Sequence, residues 1–192
     1  MPSGPPRPRN AAATREAILD SAIRSFARAG YDGVGVREIA RDAGVTAMLV
    51  NRYFGSKELL FAEAVEASFR QPVFIAENPQ AIARDAATAL VARSAPDADD
   101  LAPFLIMLRS ALNPRSAEIV RAAIERHVGK RLARQLPEPG RQLRSDVALS
   151  VISGVLLMRR VVGTRALNGR NTDELAALLE AVFDVIINTP LN

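Results

Sequence analysis

Apolar residues recur every three or four positions along most of the chain, and no long stretch alternates with period two. From Asn10 onward this spacing puts one apolar stripe on a first helix, formed by Ile18, Leu19, Ala22, Ile23 and Phe26. Gly30 can end that helix, because glycine readily takes the left-handed conformation. Further helices are predicted at 36–43, 56–69, 79–94, 98–112, 115–135, 141–166 and 172–188, with one more short helix between Gly44 and Gly55. The pattern predicts an all-α fold of about nine helices.

The segment 39–54 has the residue types of a helix-turn-helix. Ala40 is small where two helix backbones would cross, and Gly44 supplies a positive φ in the turn. Apolar anchors for the second helix follow at Val45, Val50 and Phe54. The projecting face then carries Thr46, Ala47, Met48, Asn51 and Arg52. Asparagine and arginine can read base edges in the major groove and can also hold phosphates, so this face is a candidate DNA contact.

The same spacing also fits an ordinary corner between two helices, with Arg52 as a solvated charge. The surrounding chain favours the DNA-binding interpretation, because residues 14–60 resemble the DNA-binding domain of the TetR (tetracycline repressor) family. The matching stretches are "TREAILDSAIRSFARAGYDG", "VREIARDAGV" and "RYFGSKELL", in order and without a gap. The resemblance implies a homodimeric, all-α transcriptional regulator, in most members a repressor. It also implies DNA contacts by Arg37, Thr46, Tyr53 and Lys57.

Four positions depart from the family pattern. Gly35 stands where the family usually has serine or threonine, so a hydroxyl that caps the second helix and touches a phosphate is absent. Asn51 stands where tyrosine is usual, which predicts either a lost backbone contact or a new base contact. Met48 and Leu49 replace small residues. We expect Leu49 to pack internally, whereas Met48 either touches a thymine methyl group or is simply exposed.

The resemblance divides the chain into three parts. We expect a disordered, proline- and arginine-rich tail at 1–9, a helix-turn-helix DNA-binding domain at 10–55, and a regulatory and dimerisation domain at 56–192. A ligand pocket in the third part would be lined by Phe61, Phe69, Phe104, Met107, Leu108, Ile124, His127 and Arg159. The same residues also fit ordinary core positions, and a lone histidine on an apolar face is more often a core residue than a ligand contact.

Two C-terminal segments are apolar on almost every side, 147–158 and 175–187. A helix that is apolar all round is buried all round, which suggests either a thick monomeric core or a subunit interface. The family's four-helix dimer bundle favours the interface. Its predicted residues are Val147, Val151, Gly154, Leu175, Leu178, Leu179, Val182 and Ile186.

Composition narrows the function. The net charge is +4, and residues 1–60 hold nine basic and six acidic side chains, which fits an anionic partner at that end. Disulfides and thiolate metal sites are excluded by the absence of cysteine. With one histidine, no phosphate-binding loop and no paired carboxylates on an apolar face, we expect no enzyme, no metal site and no cofactor. No stretch is long enough for a membrane span, and the N-terminus lacks a secretory signal, so we expect a cytoplasmic protein.

Two functions remain open at this point. The first is a dimeric, sequence-specific repressor that binds double-stranded operator DNA and is released by a small, largely apolar effector. The alternative is a DNA-binding regulator without a small-molecule effector, controlled by a protein partner or acting as an activator. A cavity of a few hundred Å³ would favour the first, and a solid core would favour the second.

Overall fold

A computed structural model describes residues 11–70, 81–95, 98, 101–169 and 171–191. The predicted tail at 1–9 lies outside these residues. The described helices are α1 (Ala11–Ala29), α2 (Val36–Asp42), α3 (Ala47–Phe54), α4 (Lys57–Phe69), α5 (Ile82–Arg93), α6 (Ala102–Ser110), α7 (Pro114–Ile124), α8 (Lys130–Ala133), α9 (Arg141–Leu156) and α10 (Thr172–Asn188). No strand occurs among them, so the all-α prediction is confirmed.

Two of the predicted helices are interrupted. The helix expected at 115–135 consists of α7, a π-helical turn at Glu125–Gly129 and α8, and the one expected at 141–166 ends in a π-helical turn at Leu157–Val162. Gly163, at φ +72°, stops this second turn in the left-handed conformation. Counting α7 and α8 as one interrupted helix gives the nine that the sequence predicts.

The chain divides into two compact units. The first contains the described residues up to Ser68 together with Leu105–Val120, and the second contains Phe69–Phe104 and the described residues from Arg121 onward. These bounds differ from the functional boundary at 55/56 that the resemblance implies. That boundary describes roles, and it stays a prediction.

The first unit is built on the apolar stripe of α1. Ile18, Ala22 and Phe26 are fully buried, and α1 packs on α2, which packs on α3. Phe61 of α4 meets the ring of Phe26 edge to face, with 4.9 Å between centroids. Such a contact contributes about 0.5–1.5 kcal/mol beyond the area that it buries. These helices form the rigid support of the predicted DNA-contact face.

Residues 105–120 belong to the first unit through bonds to the turn after α1. The Tyr31 backbone N–H donates to Ser110 Oγ at 3.1 Å, and Asn113 Nδ2 donates to the Asp32 carboxylate at 3.0 Å. The Arg109 guanidinium also donates to the Ala27 carbonyl. The α6–α7 corner is therefore fixed to the turn that leads into the helix-turn-helix.

The second unit places α5 along α10, with Leu90, Ile152, Leu179 and Phe183 buried in its core. Buried Arg144 closes the end of α10 by donating to the carbonyls of Ile186 at 2.6 Å and Thr189 at 2.7 Å. A small apolar cavity of about 20 Å³ remains between α5, α8, α9 and α10. It is lined by Ile82, Ala86, Leu132, Leu136, Ala148, Ile152, Phe183, Ile186 and Ile187.

Candidate nucleic-acid interface

Helix α3 has one buried face and one free face, set by its sequence. Val50 and Phe54 are buried, as the anchor pattern predicts. The Thr46 side chain caps the helix by accepting the Leu49 N–H at 3.3 Å. Gly55, at φ +80°, ends the helix in a conformation that favours glycine. The short helix is thus held at both ends and along its inner face.

The structure gathers the free face of α3 around three exposed side chains. Met48 is 80% exposed, and Asn51 and Arg52 are exposed beside it on the same helix. A large apolar side chain this exposed contributes no packing within the chain. The face therefore offers an apolar contact, an amide and a guanidinium, three groups that proteins use on base edges.

The other predicted contacts flank this face in the first unit. Arg37 is exposed on α2, Thr46 is exposed at the start of α3, and Ala47 and Tyr53 are half-buried. In the described part of the chain, neither Arg37 nor Arg52 forms an ion pair. By contrast, the Arg28 guanidinium lies 2.5 Å from Glu38 and 3.9 Å from Asp42. The charges of Arg37 and Arg52 are therefore available to phosphates.

In the absence of DNA, Lys57 contacts the ring of Tyr31. Its Nζ lies 4.5 Å from the centroid of the Tyr31 ring, a cation–π contact. Burial, and then the nearby carboxylates of Glu58 and Asp32, raise the pKa of Tyr31 above its ordinary value, so this ring stays neutral beneath the ammonium. Ser56 caps α4 by accepting the Leu59 N–H at 3.1 Å. To contact a phosphate, the Lys57 ammonium would either leave the Tyr31 ring or interact with the ring and the phosphate together.

The residues suggested for a ligand pocket are divided between the two units. Phe61, Met107 and Leu108 belong to the first, and Phe61 is packed between the rings of Phe26 and Tyr31. The second holds Phe69, Phe104, Ile124, His127 and Arg159. His127 is half-buried within the π-helical turn at Glu125–Gly129. The apolar cavity of the second unit is lined by none of the eight, so the pocket assignment stays a prediction.

The predicted interface residues fall into two groups. Val147, Gly154, Leu178 and Val182 are exposed, and Val151 and Leu175 are half-buried. Leu179 is 6% exposed, and Ile186 lines the apolar cavity. Both residues lie where α10 turns a second apolar face toward its own chain, so they have less surface to offer a partner. The interface assignment stays a prediction.

Sequence reasoning missed the part that residues 105–120 play in the first unit. Their bonds to the turn after α1 join positions about eighty apart in sequence, and no local periodicity signals such a contact. The one available hint was the polar cluster of Arg109, Ser110 and Asn113 at the end of an apolar helix.

Comparison with known proteins gives matches to both halves of the chain. A family model described as "Bacterial regulatory proteins, tetR family" matches residues 18–64, and one described as "Tetracyclin repressor-like, C-terminal domain" matches residues 80–187. The chain is 37% identical over 82 residues to the HTH-type transcriptional regulator BetI of Agrobacterium fabrum. It is 56% identical over 41 residues to the regulatory protein RaaS of Mycobacterium tuberculosis. These matches are local: they span 43% and 21% of this chain, and 35% and 19% of those proteins.

Solved structures match over nearly the whole chain. A TetR-family regulator from Streptomyces coelicolor A3 has a TM-score of 0.58 at 24% identity, covering 95% of this chain and 99% of that one. MexZ of Pseudomonas aeruginosa, described as a key repressor responsible for antibiotic resistance, has a TM-score of 0.65 at 20% identity, covering 93% and 96%. At these identities the likeness establishes the fold. Within the described residues, no helix is both long and apolar enough to cross a membrane.

Proposed function

Because the chain belongs to the TetR family of bacterial regulatory proteins, we propose that it is a dimeric repressor that binds a two-fold symmetric operator and is released by a small-molecule effector. Family membership itself makes the chain a DNA-binding transcription regulator and not an enzyme. We propose four further points that family membership does not establish: the symmetric operator, repression, dimerisation and release by an effector. A regulator of this kind acts in the cytoplasm, where the bacterial chromosome lies.

The observation that carries the proposal is the free face of α3. Met48, Asn51 and Arg52 project from a helix whose opposite side is anchored by Val50 and Phe54. An α-helix fits the major groove, and a short anchored helix keeps its contacts in register with the bases. We assign base contacts to Met48, Asn51 and Arg52, and phosphate contacts to Arg37, Tyr53 and Lys57. We assign contacts with the DNA backbone to Thr46 and Ala47, which lie at the start of α3.

Dimerisation is supported by the exposed apolar surface of the second unit. Some exposed positions of α9 and its π-helical turn are three or four residues apart and share one side of the helix: Leu143, Val147, Ser150, Gly154, Met158 and Val161. On α10 the exposed apolar residues are Leu178, Val182 and Val185. Large exposed apolar patches on soluble proteins mark interaction sites. Two copies of this surface would form the four-helix interface that the family resemblance implies.

Effector control is supported by connectivity. Helices α4, α6 and α7 each have residues in both compact units, and residues 105–120 are bonded to the turn before α2. A ligand that shifts α6 or α7 therefore acts on the helix-turn-helix through Ser110 and Asn113 as well as through α4.

The alternative, a regulator without a small-molecule effector, is favoured by one observation. The cavity of about 20 Å³ holds about one water molecule, whereas sites for drug-sized ligands measure roughly 300–1,000 Å³. An effector that binds there must open its own space. If effector and operator are coupled, each weakens the binding of the other by the same factor. Equal effector affinity with and without operator, measured by titration calorimetry, would favour this alternative.

Lys57→Ala should flatten the salt dependence of DNA binding. Each phosphate neutralised contributes a slope of about −0.9 in log K against log salt, so losing this ammonium should reduce the slope by about one and weaken all sequences alike. The matched variant Asn51→Ala carries no charge change. This variant should leave the slope unchanged, and it should lower the affinity for operator DNA more than the affinity for random DNA. Fluorescence anisotropy at four salt concentrations measures both, and a sequence-selective loss in Lys57→Ala would contradict the assignment.

A further inference from the structure

Arg159 is one of two buried arginines among the described residues of the second unit, with 4% of its surface exposed. It lies in the π-helical turn at Leu157–Val162 that follows α9. Its Nη1 donates to the Val91 carbonyl at 2.9 Å and to Ser94 Oγ at 2.5 Å. Both acceptors belong to the C-terminal end of α5, where Ser94 is the capping residue. One nitrogen of the guanidinium is therefore committed to the protein.

The opposite edge of the same guanidinium is uncommitted. Arg159 Nε is buried and has no hydrogen-bond partner, and Nη2 donates to no residue that the structure describes. Asn168 adds a second unpaired group. Its Nδ2 donates to the Arg159 carbonyl at 3.0 Å, while its Oδ1 is buried without a partner. A donor edge and an acceptor thus remain open around one residue.

The electrostatics of this place favour an anion. No carboxylate of the described residues pairs with Arg159, and the end of α5 supplies only about half a negative charge. The next residue adds positive charge, since Arg160 Nη1 donates to the carbonyls of Ala95 at 2.5 Å and Ala98 at 2.9 Å. Burial, and then Arg160, lower the pKa of Arg159, which still leaves a guanidinium protonated near neutral pH. A buried cation without a counter-charge is costly to keep.

Arg144 provides an internal comparison. It is equally buried, and its three nitrogens donate to the carbonyls of Pro139, Ile186 and Thr189. This is how a purely structural arginine is satisfied in the same unit. Arg159 departs from that pattern on its Nε–Nη2 edge, the edge that binds a carboxylate through two parallel hydrogen bonds.

We propose that the Nε–Nη2 edge of Arg159 is a binding site for the carboxylate of a small organic acid. Asn168 Oδ1 accepts a hydrogen bond from a hydroxyl or amino group of the same molecule. The bound acid is tied to the end of α5, because Nη1 keeps its bonds to Val91 and Ser94. The inference rests on the proposed regulatory function in one respect only, that this acid acts as the effector. It changes the expected effector from a largely apolar molecule to an acid with an apolar body.

Benzoate tests the site, with benzyl alcohol as the uncharged probe of similar shape, both at constant ionic strength. The readout is the Nε–H resonance of Arg159 in the nitrogen–proton spectrum of the full-length protein. We expect benzoate to move this signal saturably and benzyl alcohol to leave it in place. The Nε–H resonance of Arg144 serves as the control in the same spectra and should not move. The wild-type titration stands even if variants at Arg159 fold poorly.

Arg159→Lys should weaken benzoate binding about tenfold or more, because an ammonium cannot give the two parallel bonds. Arg144→Lys, a matched change of a buried arginine, should leave benzoate affinity nearly unchanged. An immobile Arg159 signal with benzoate and with a panel of longer aliphatic carboxylates would overturn the site and indicate a bound water. The site would also be overturned if that signal shifted, without ligand, in a variant with Asp97, Asp99 and Asp100 all changed to Asn. Such a shift would mean that a carboxylate of the chain itself interacts with Arg159.

Operator binding separates the two failures. The wild-type protein without any acid should bind operator DNA. If that binding persists while benzoate binds nowhere, only the acid site is refuted. If the wild-type protein binds no operator, the regulatory function is refuted whether or not benzoate binds at Arg159.

Discussion

Leu178→Asp should convert the proposed dimer into a monomer and weaken operator binding about a hundredfold or more. Leu178 is 68% exposed in the single chain, and it lies on α10 beside Val182 and Val185. A carboxylate buried there in a symmetric interface would face its own copy, and each ion loses several kcal/mol of hydration. Two linked DNA-binding domains bind DNA roughly 10² to 10⁴ times more tightly than one, because the second binds at a high effective concentration. This gain in affinity is lost when the dimer dissociates.

Leu112→Asp is the matched control for this experiment. Leu112 is 96% exposed and belongs to the first unit, whereas α9 and α10 belong to the second. The same chemical change there should leave both the dimer mass and the operator affinity nearly unchanged. Light scattering gives the mass and anisotropy gives the affinity. A dimeric Leu178→Asp protein with normal operator binding would show that the subunit interface lies elsewhere.

Gly30→Ala should destabilise the first unit by about 2–6 kcal/mol, the largest single-residue effect that we expect on folding. Gly30 has φ +70°, a conformation that costs a non-glycine residue roughly 1–3 kcal/mol. An added Cβ would also overlap the backbone carbonyl of Arg109, closer than real contacts allow. Backbone cannot step aside as a flexible side chain can, and such overpacking adds roughly 1–3 kcal/mol.

Two other glycines of the same unit separate these causes. Gly44 has φ +67° with no atom near the position of a Cβ, so Gly44→Ala should cost the conformational term alone, about 1–3 kcal/mol. Gly35 has φ −102° and open space, so Gly35→Ala should cost only what alanine loses as the N-cap of α2, about 0.5–1 kcal/mol. Urea unfolding measures all three. Equal losses for Gly30→Ala and Gly44→Ala would mean that residues 105–120 do not pack against the turn after α1.

Local patterns in the sequence predicted the helix-turn-helix well. Gly44 takes the positive φ expected of it, and Val50 and Phe54 are buried as predicted, because each of these features depends on residues a few positions apart. Ser56 caps α4 for the same reason. The free face of α3 follows directly from its anchored face. This part of the candidate site was therefore predictable from sequence alone.

Features that depend on distant contacts were not predictable. The bonds from Ser110 and Asn113 to the turn after α1 join segments far apart in sequence, and only the folded chain brings them together. Periodicity showed that α10 is apolar on nearly every side, but it could not distinguish the face that covers its own core at Leu179 from the exposed face at Leu178. The two π-helical turns were predicted as regular helix.

The central claim is that two copies of the chain bind a two-fold symmetric operator. It can be tested by selecting binding sites from random duplex DNA and footprinting the selected sequence. Two α3 helices related by a two-fold axis reach successive major grooves on one face of the duplex, with half-sites one helical turn or a multiple apart, and one turn is roughly 34–36 Å. We expect a two-fold symmetric sequence with that spacing, with protection of both half-sites that is lost in Arg52→Ala. An asymmetric footprint shorter than one turn, or no enriched sequence at all, would contradict it.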